Sequence, residues 1–232
     1  MIGLVQDLEQ LLEQMPLLAP LTPAARAGLV RRVTRGSAPR TQVIFAEGEP
    51  GTTVHLLLEG KVKITRAAAD GRENLLAVLG PGELFGELSL FDPGPRTATA
   101  TALTDLDYAS LDHDALRPWL GTVPEVAELL LQVLARRLRR TNSALADIVF
   151  VDVPGRVAKA LLELADRFGA PAEPGALRVE HGLTQEELAQ LVGASRETVN
   201  KALADFAARG WLRLDSRAVV LLDRDRLERR AR

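Results

Sequence analysis

Between Gly36 and Gly94 the chain places nine glycines, at 36, 48, 51, 60, 71, 80, 82, 86 and 94, among the short apolar runs VIF, VHLLL, VKI, NLLAVL and LF. That rhythm belongs to strands separated by turns. Glu59-Gly60 and Asp70-Gly71 sit where tight hairpins need a positive φ, and TATATAL at 97–103 and DYASL at 107–111 continue the pattern. An all-β barrel or roll of about 75 residues follows.

Helical sequence brackets this roll, with residues 3–15 in front and Pro124–Phe150 behind. In the second segment Leu131, Leu134, Leu138, Thr141, Leu145 and Ile148 recur at spacings of 3, 4, 3, 4 and 3, a heptad stripe flanked by Arg136, Arg137, Arg139 and Arg140. Such a seam suits a partner helix in a dimer; packing on the chain's own β-domain is the alternative. Asp152-Val153-Pro154-Gly155 reads as a hinge, because its proline forbids a helical hydrogen bond and its glycine permits a bend. Beyond it come a helix over RVAKALLELADRFG, an extended piece GALRVEHG, two helices within 184–210, and a hairpin of WLRLD and AVVLLD around Ser216-Arg217. The expected class is α+β: a roll with N-terminal helices over 1–121, a long dimerisation helix over 122–151, and a winged helix-turn-helix over 152–232.

With 232 residues, two domains are expected, and 47% apolar and 26% charged residues are ordinary globular usage. The chain has no cysteine, which excludes disulfides, thiolate metal sites, iron–sulfur clusters and a thiol nucleophile. MIGLVQDLEQLLEQMPLL lacks a basic start, and no run of 18 apolar residues occurs, so a cytoplasmic protein without membrane partners is expected. Residues 1–121 hold 11 Lys+Arg against 15 Asp+Glu, whereas 152–232 hold 14 against 13. A nucleic-acid partner would therefore belong to the C-terminal part.

TQEELAQLVGASRETVNKALADF carries that partner's motif. Thr184 and Glu187 can form a capping box, Gly193 falls where a sharp turn needs positive φ, and Ser195 can cap the next helix. Ala189, Gly193 and Val199 have the spacing of a helix-turn-helix: a small residue at the crossing, the turn glycine, and a β-branched anchor. At about 100° per residue, Arg196, Glu197, Asn200 and Lys201 fall on one face of the second helix, opposite Val199, Ala202, Leu203 and Phe206. Arg, Glu and Lys at that end suit guanine and cytosine edges in a major groove; a solvated face on an ordinary helical hairpin is the bland alternative. The wing-tip Arg217 suits a phosphate.

In the roll, Gly86-Glu87 is followed nine residues later by Arg96-Thr97, after a Pro-Gly-Pro turn. Glycine admits a ligand to the backbone, a carboxylate accepts from ribose, and a guanidinium with a hydroxyl donates to phosphate, a set that fits a sugar phosphate. A surface Arg–Glu pair of little consequence fits the spacing equally well. Gly80, Gly82 and Gly86 have the wrong spacing for a dinucleotide fingerprint, and Gly60-Lys61 is followed by valine, unlike a P-loop. His55, His113 and His181 are scattered, so no metal is expected, and nothing catalytic stands out, so no enzyme is expected.

GELFGELSLFDPGPRTATA, VLARRLRRTN at 133–142, DVPGRVAK and LVGASRETVNKALADFAARGW resemble the cyclic-AMP receptor protein (Crp/Fnr) family over nearly the whole chain, most of all its actinobacterial Crp/GlxR-like members. The resemblance implies a homodimer that binds cAMP as allosteric ligand and double-stranded DNA as partner, together with RNA polymerase when it activates. It places Gly86 and Glu87 at the ribose of the ligand, Arg96 and Thr97 at the phosphate, and Thr141 and Asn142 at the adenine, with Leu88 among the ligand-binding residues. The DNA-facing set becomes Thr184, Gln185, Ser195, Arg196, Glu197, Asn200, Lys201 and Arg217. Threonine at 97 replaces the family's usual serine and keeps the hydroxyl; Lys201 replaces a common arginine and loses bidentate geometry. The expected function is a cAMP-responsive regulator on a two-fold symmetric operator. The alternatives are a same-fold regulator that binds DNA without ligand and a cyclic-nucleotide module acting on protein partners.

Overall fold

The computed structural model describes residues 11–12, 15–68, 71, 73–92 and 94–232. The helix expected over 3–15 therefore lies outside the described residues, apart from Leu11, Leu12 and Met15, of which the two leucines are helical. The chain forms two compact units, one of residues 1–70 and 78–139 and one of 71–77 and 140–232.

Eight strands precede the long helix among the described residues, seven of them in the first unit and β5 falling mostly in the second: β1 (Thr34–Ala38), β2 (Val43–Phe45), β3 (Thr53–Glu59), β4 (Val62–Ala67), β5 (Glu73–Leu79), β6 (Leu84–Phe85), β7 (Thr99–Ala102) and β8 (Leu106–Asp112). They order as β1-β8-β3-β6 and β2-β7-β4-β5. Strand β3 is central to the first sheet, and its residues Val54 to Leu58 are all buried, which accounts for an unbroken VHLLL run where a half-exposed strand would alternate. It pairs antiparallel with β8 and β6, setting His55 opposite both Ser110 and Phe85. Gly60 turns the chain into β4 with φ +82°, and a Cβ there would run into Asp105 O.

Four α-helices among the described residues accompany these strands: α1 (Pro23–Val30), α2 (Leu88–Phe91), α3 (His113–Thr122) and α4 (Pro124–Phe150). Trp119, Val126, Leu129 and Leu130 join Val54 and Leu111 in one core. Only the first turns of α4 are packed in this way. Leu131, Leu138, Leu145 and Ile148 on its heptad stripe remain 63%, 60%, 58% and 55% exposed. The helix thus uses one set of residues for its own β-domain and leaves the heptad set uncovered within the chain.

The second unit holds α5 (Val153–Phe168), β9 (Gly169–Pro171), β10 (Leu177–Val179), α6 (Gln185–Val192), α7 (Arg196–Ala208), β11 (Leu212–Asp215), β12 (Ala218–Leu221) and α8 (Arg224–Arg230). The strands order as β11-β12-β10-β9. Val157, Leu161, Val199, Phe206 and Leu227 lie at the centre, each at most 1% exposed. Arg217 turns the wing hairpin in the left-handed region, at φ 57°.

The hinge is made differently from the sequence expectation. Asp152 caps α5 by accepting from Gly155 N at 3.0 Å, and Pro154 sits in the first turn, where its missing N–H costs nothing. Gly155 is inside the helix, and it is required by closeness: a Cβ would lie 2.6 Å from Val151 Cγ1 and 3.1 Å from Arg230 O. Helices α1, α2, α3 and α8 and strands β1 and β9 have no counterpart in the sequence reading. Helix α3 sets Leu116 and Trp119 in the core with Ala115 and Leu120 against it, but Pro118 and Gly121 interrupt its ten residues with the signals of a loop, and α8 buries only Leu227.

Two glycine substitutions separate backbone strain from collision. Gly82, at φ +81°, has nothing within 4 Å of the place a Cβ would take, so Gly82→Ala should cost about 1–2 kcal/mol in urea denaturation. Gly60→Ala should cost at least about 3 kcal/mol, because steric conflict with a backbone carbonyl is added to the same φ penalty. Equal costs would show that the turn at Gly60 yields freely.

Candidate functional site

Gly86 lies at φ +77°, between β6 and α2, and a Cβ on it would come within 2.6 Å of Arg96 Nη1. Both its conformation and its neighbour require glycine. Arg96 Nη1 donates to Gly86 O at 2.8 Å and Ser89 Oγ at 3.2 Å, and Nη2 donates to Thr53 O at 2.8 Å and Thr53 Oγ1 at 2.9 Å. Its guanidinium lies 4.1 Å from the centre of the Phe45 ring. Arg96 is 5% exposed, and burial lowers its pKa against the opposing charges of Glu49 and Glu87.

Glu87 is fully buried and forms an ion pair with Arg137, which also donates to Leu84 O at 3.1 Å. Buried charges at 87 and 96, each tied to other groups, set aside the reading of a surface Arg–Glu pair. Two polar atoms in this nest, Glu87 Oε2 and Arg96 Nε, are buried and have no hydrogen-bond partner among the described residues. An acceptor and a donor left in this way fit a ligand carrying a hydroxyl and an anion, the two groups of a sugar phosphate. Leu88 and Thr97 are exposed nearby in sequence. Thr141 and Asn142 are exposed on α4, in the second compact unit.

In that second unit the capping box is complete: Thr184 Oγ1 accepts from Glu187 N at 3.1 Å, and Glu187 Oε2 accepts from Thr184 N at 2.8 Å. Gly193 ends α6 at φ 69° and ψ 46°, and Ser195 Oγ caps α7 by accepting from Thr198 N at 3.2 Å. Thr184, Gln185, Ser195, Arg196, Glu197 and Lys201 are exposed, as is Arg217 on the wing. Asn200 is half-buried, and its Oδ1 is enclosed without a partner among the described residues. Arg156 braces the turn, donating to Val192 O at 3.0 Å, Gly193 O at 3.2 Å and Val151 O at 2.8 Å.

Residues 35–122 match the cyclic nucleotide-binding domain family, and residues 155–230 match the Crp-like helix-turn-helix domain. The chain is 58% identical over 225 residues to the CRP-like cAMP-activated global transcriptional regulator of Mycobacterium tuberculosis, covering 97% of this chain and 100% of that protein. The chain belongs to the CRP family of transcription regulators. A second relative, the cyclic AMP receptor protein of Thermus thermophilus, is 38% identical over 190 residues, covering 82% of this chain and 84% of the other. Among solved structures, a CRP-family transcriptional regulator from Thermus thermophilus superposes with a TM-score of 0.73 at 31% identity, covering 84% of this chain and 96% of that one. The family is one of DNA-binding regulators and not of enzymes, and this member combines a nucleotide-binding roll with a helix-turn-helix. Among the described residues no helix is long and apolar enough to cross a membrane, and no cluster of His, Asp and Glu could hold a metal.

The nest around Gly86, Glu87 and Arg96 also contains Thr53, Ser89, Phe45 and Arg137, none of which the sequence motifs single out. Ser89 lies inside the glycine-rich motif two residues after Glu87, and Arg137 inside VLARRLRRTN, but Thr53 and Phe45 come from distant strands and carry no local signal. His55, one of three scattered histidines in the sequence, belongs with them. It is buried, with Nε2 3.1 Å from Thr53 Oγ1 and Nδ1 2.8 Å from Ser110 Oγ.

Burial, with the charges of Arg96 and His113 adding to it, lowers the His55 pKa from 6.5 to about 4. The unfolded chain therefore binds a proton below pH 6.5 that the folded chain refuses until about pH 4. Stability from this site is complete above pH 6.5 and is lost as pH falls toward 4. Between pH 7.5 and 5, urea titrations should show the wild type losing about 2 kcal/mol more than His55→Phe, which cannot titrate. Parallel pH profiles for the two proteins would contradict this.

Proposed function

We propose that this chain is a cAMP-responsive transcription regulator that acts in the cytoplasm as a homodimer on a two-fold symmetric DNA site. The observation that carries the ligand reading is the unpartnered buried pair, Glu87 Oε2 and Arg96 Nε, beside a glycine at positive φ. Glu87 accepts from a ribose hydroxyl, Arg96 and Thr97 donate to the cyclic phosphate, and Leu88 lies against the sugar. Thr141 and Asn142 enter as adenine contacts through the family resemblance alone. The names of the Mycobacterium and Thermus relatives, each given for cAMP, support the same ligand. The exposed heptad leucines of α4 support a second copy as partner, since a soluble helix rarely leaves such a stripe in water. Contact with RNA polymerase belongs to the same reading where the protein activates.

On DNA, Arg196 bonds guanine O6 and N7, Glu197 accepts from cytosine N4, and Lys201 reaches a guanine or a phosphate. Thr184, Gln185, Ser195, Asn200 and Arg217 complete the interface with backbone and groove contacts. The two copies present their α7 helices to successive major grooves, so half-sites lie about 10 bp apart or a multiple of that. The resemblance suggests a TGTGA-like half-site, whose inner positions depend on Lys201.

Calorimetry with cAMP and cGMP, followed by DNA binding with and without each, tests the proposal. Arg96→Leu should lose about 10–100-fold in cAMP affinity while staying folded, the value of a charge-assisted contact. Equal DNA affinity with and without cAMP would replace the proposal by a ligand-independent regulator. For readout, Arg196→Ala should cost about 1–3 kcal/mol on the cognate duplex and little on a scrambled one, whereas Arg217→Ala should weaken both alike. Equal losses for Arg196→Ala on the two duplexes would make Arg196 a backbone contact.

A further inference from the structure

His55 stands on β3 between two neighbouring strands, opposite Phe85 on β6 and Ser110 on β8. Its ring stacks with Phe85 at 5.0 Å and Phe45 at 5.8 Å between centroids, and meets Tyr108 edge-on at 5.4 Å. Phe45 is also the ring beneath the Arg96 guanidinium. Thr53 is two residues before His55 on the same strand, so both side chains leave the same face of the sheet.

The hydrogen bonds in this cluster run outward from the arginine. A guanidinium only donates, so Thr53 Oγ1 accepts from Arg96 Nη2 at 2.9 Å, and the same hydroxyl is hydrogen-bonded to His55 Nε2 at 3.1 Å. The other ring nitrogen, Nδ1, is hydrogen-bonded to Ser110 Oγ at 2.8 Å, so the imidazole bridges the two hydroxyls in either neutral tautomer. We propose that His55 is a positioning residue for the anion-binding arginine: through Ser110 and Thr53 it fixes the hydroxyl that holds the Arg96 guanidinium in its binding plane.

The inference rests on the reading of Arg96 as the phosphate contact. Four donor contacts from Nη1 and Nη2 orient the guanidinium and leave Nε as the donor without a protein partner among the described residues. Two of those contacts reach backbone carbonyls, and Ser89 Oγ is itself tied to Gly86 O at 3.2 Å. The fourth acceptor, Thr53 Oγ1, turns with χ1 on β3 and takes its direction from its second partner, His55. A neutral imidazole hydrogen-bonded to Thr53 selects one of those rotamers. An arginine already held in its bound geometry loses less freedom when a phosphate arrives. Burial keeps the imidazole neutral at neutral pH, with one ring nitrogen a donor and the other an acceptor for the two hydroxyls.

The test compares cAMP affinity by calorimetry in wild type, His55→Phe, Arg96→Gln and the double variant, with circular dichroism to confirm folding. His55→Phe keeps an aromatic ring for Phe45 and Phe85 but removes both hydrogen bonds, and should weaken cAMP binding about 2–10-fold. On the Arg96→Gln background the same change should have no further effect, because the arginine through which it acts is gone. Wild-type affinity in folded His55→Phe would overturn the inference, and so would an equal loss on both backgrounds, which would mark a merely structural residue. If His55→Phe does not fold, Ser110→Ala, which removes only the outer hydroxyl, should weaken cAMP binding at least about 2-fold, and no change would overturn the inference. Wild-type affinity in Arg96→Gln would instead overturn the phosphate assignment beneath it.

Discussion

A guanidinium taken out of water must find fixed oxygens for its N–H groups, or the cost of desolvation unfolds the site around it. Arg96 meets that condition with two backbone carbonyls and two hydroxyls drawn from three residues in two separate stretches of the first unit. Much of the local architecture follows from it. Gly86 must lack a side chain so that the arginine can approach, Ser89 must follow at the start of α2, and β3 must bring Thr53 to the same spot. The same enclosure puts Glu87 at zero exposure, where Arg137 supplies its counter-charge. A nest that satisfies most but not all of its polar atoms is primed for a polar ligand, since the remaining donor and acceptor gain partners only when one binds.

The helix-turn-helix depends on a different device. Its recognition face needs α7 held at a fixed angle to α6, and three local features set that angle: the capping box at Thr184, the left-handed Gly193, and the Ser195 cap. Val199 and Phe206 then anchor α7 from beneath, while Arg156 grips the carbonyls at the turn. Polar residues at the exposed start of α7 are thereby displayed on a rigid element, which base readout requires.

What the sequence made legible was what short-range chemistry encodes. The strands from VIF to DYASL, the 124–150 helix, the two caps and the wing are all present, because turn glycines, heptad spacing and N-cap residues act within a few positions of themselves. Gly86, Glu87 and Arg96 are likewise visible, since they share one continuous motif. The framing residues are not. Thr53 and Phe45 lie some forty to fifty residues before Arg96, and only the pairing of strands brings them to it. His55 is hidden for another reason: an imidazole flanked by apolar residues in a strand looks like core, and its partners become known only when the register sets Ser110 opposite it. Helix α3 escapes because Pro118 and Gly121 read as loop signals within its ten residues, and α8 because it buries too few residues to impose a period.

The close of the second unit has its own consequence. Helix α8 buries Leu227, and Arg230 Nη2 reaches back 78 positions to bond Asp152 Oδ2 at 2.6 Å, on the residue that caps α5. The first and last helices of this unit are therefore mutually dependent. During synthesis, the apolar face of α5 with Val157 and Leu161 leaves the ribosome long before residues 224–230 exist to cover it. The core of the unit is complete only when almost its whole length has emerged, and until then the apolar face of α5 is open to aggregation.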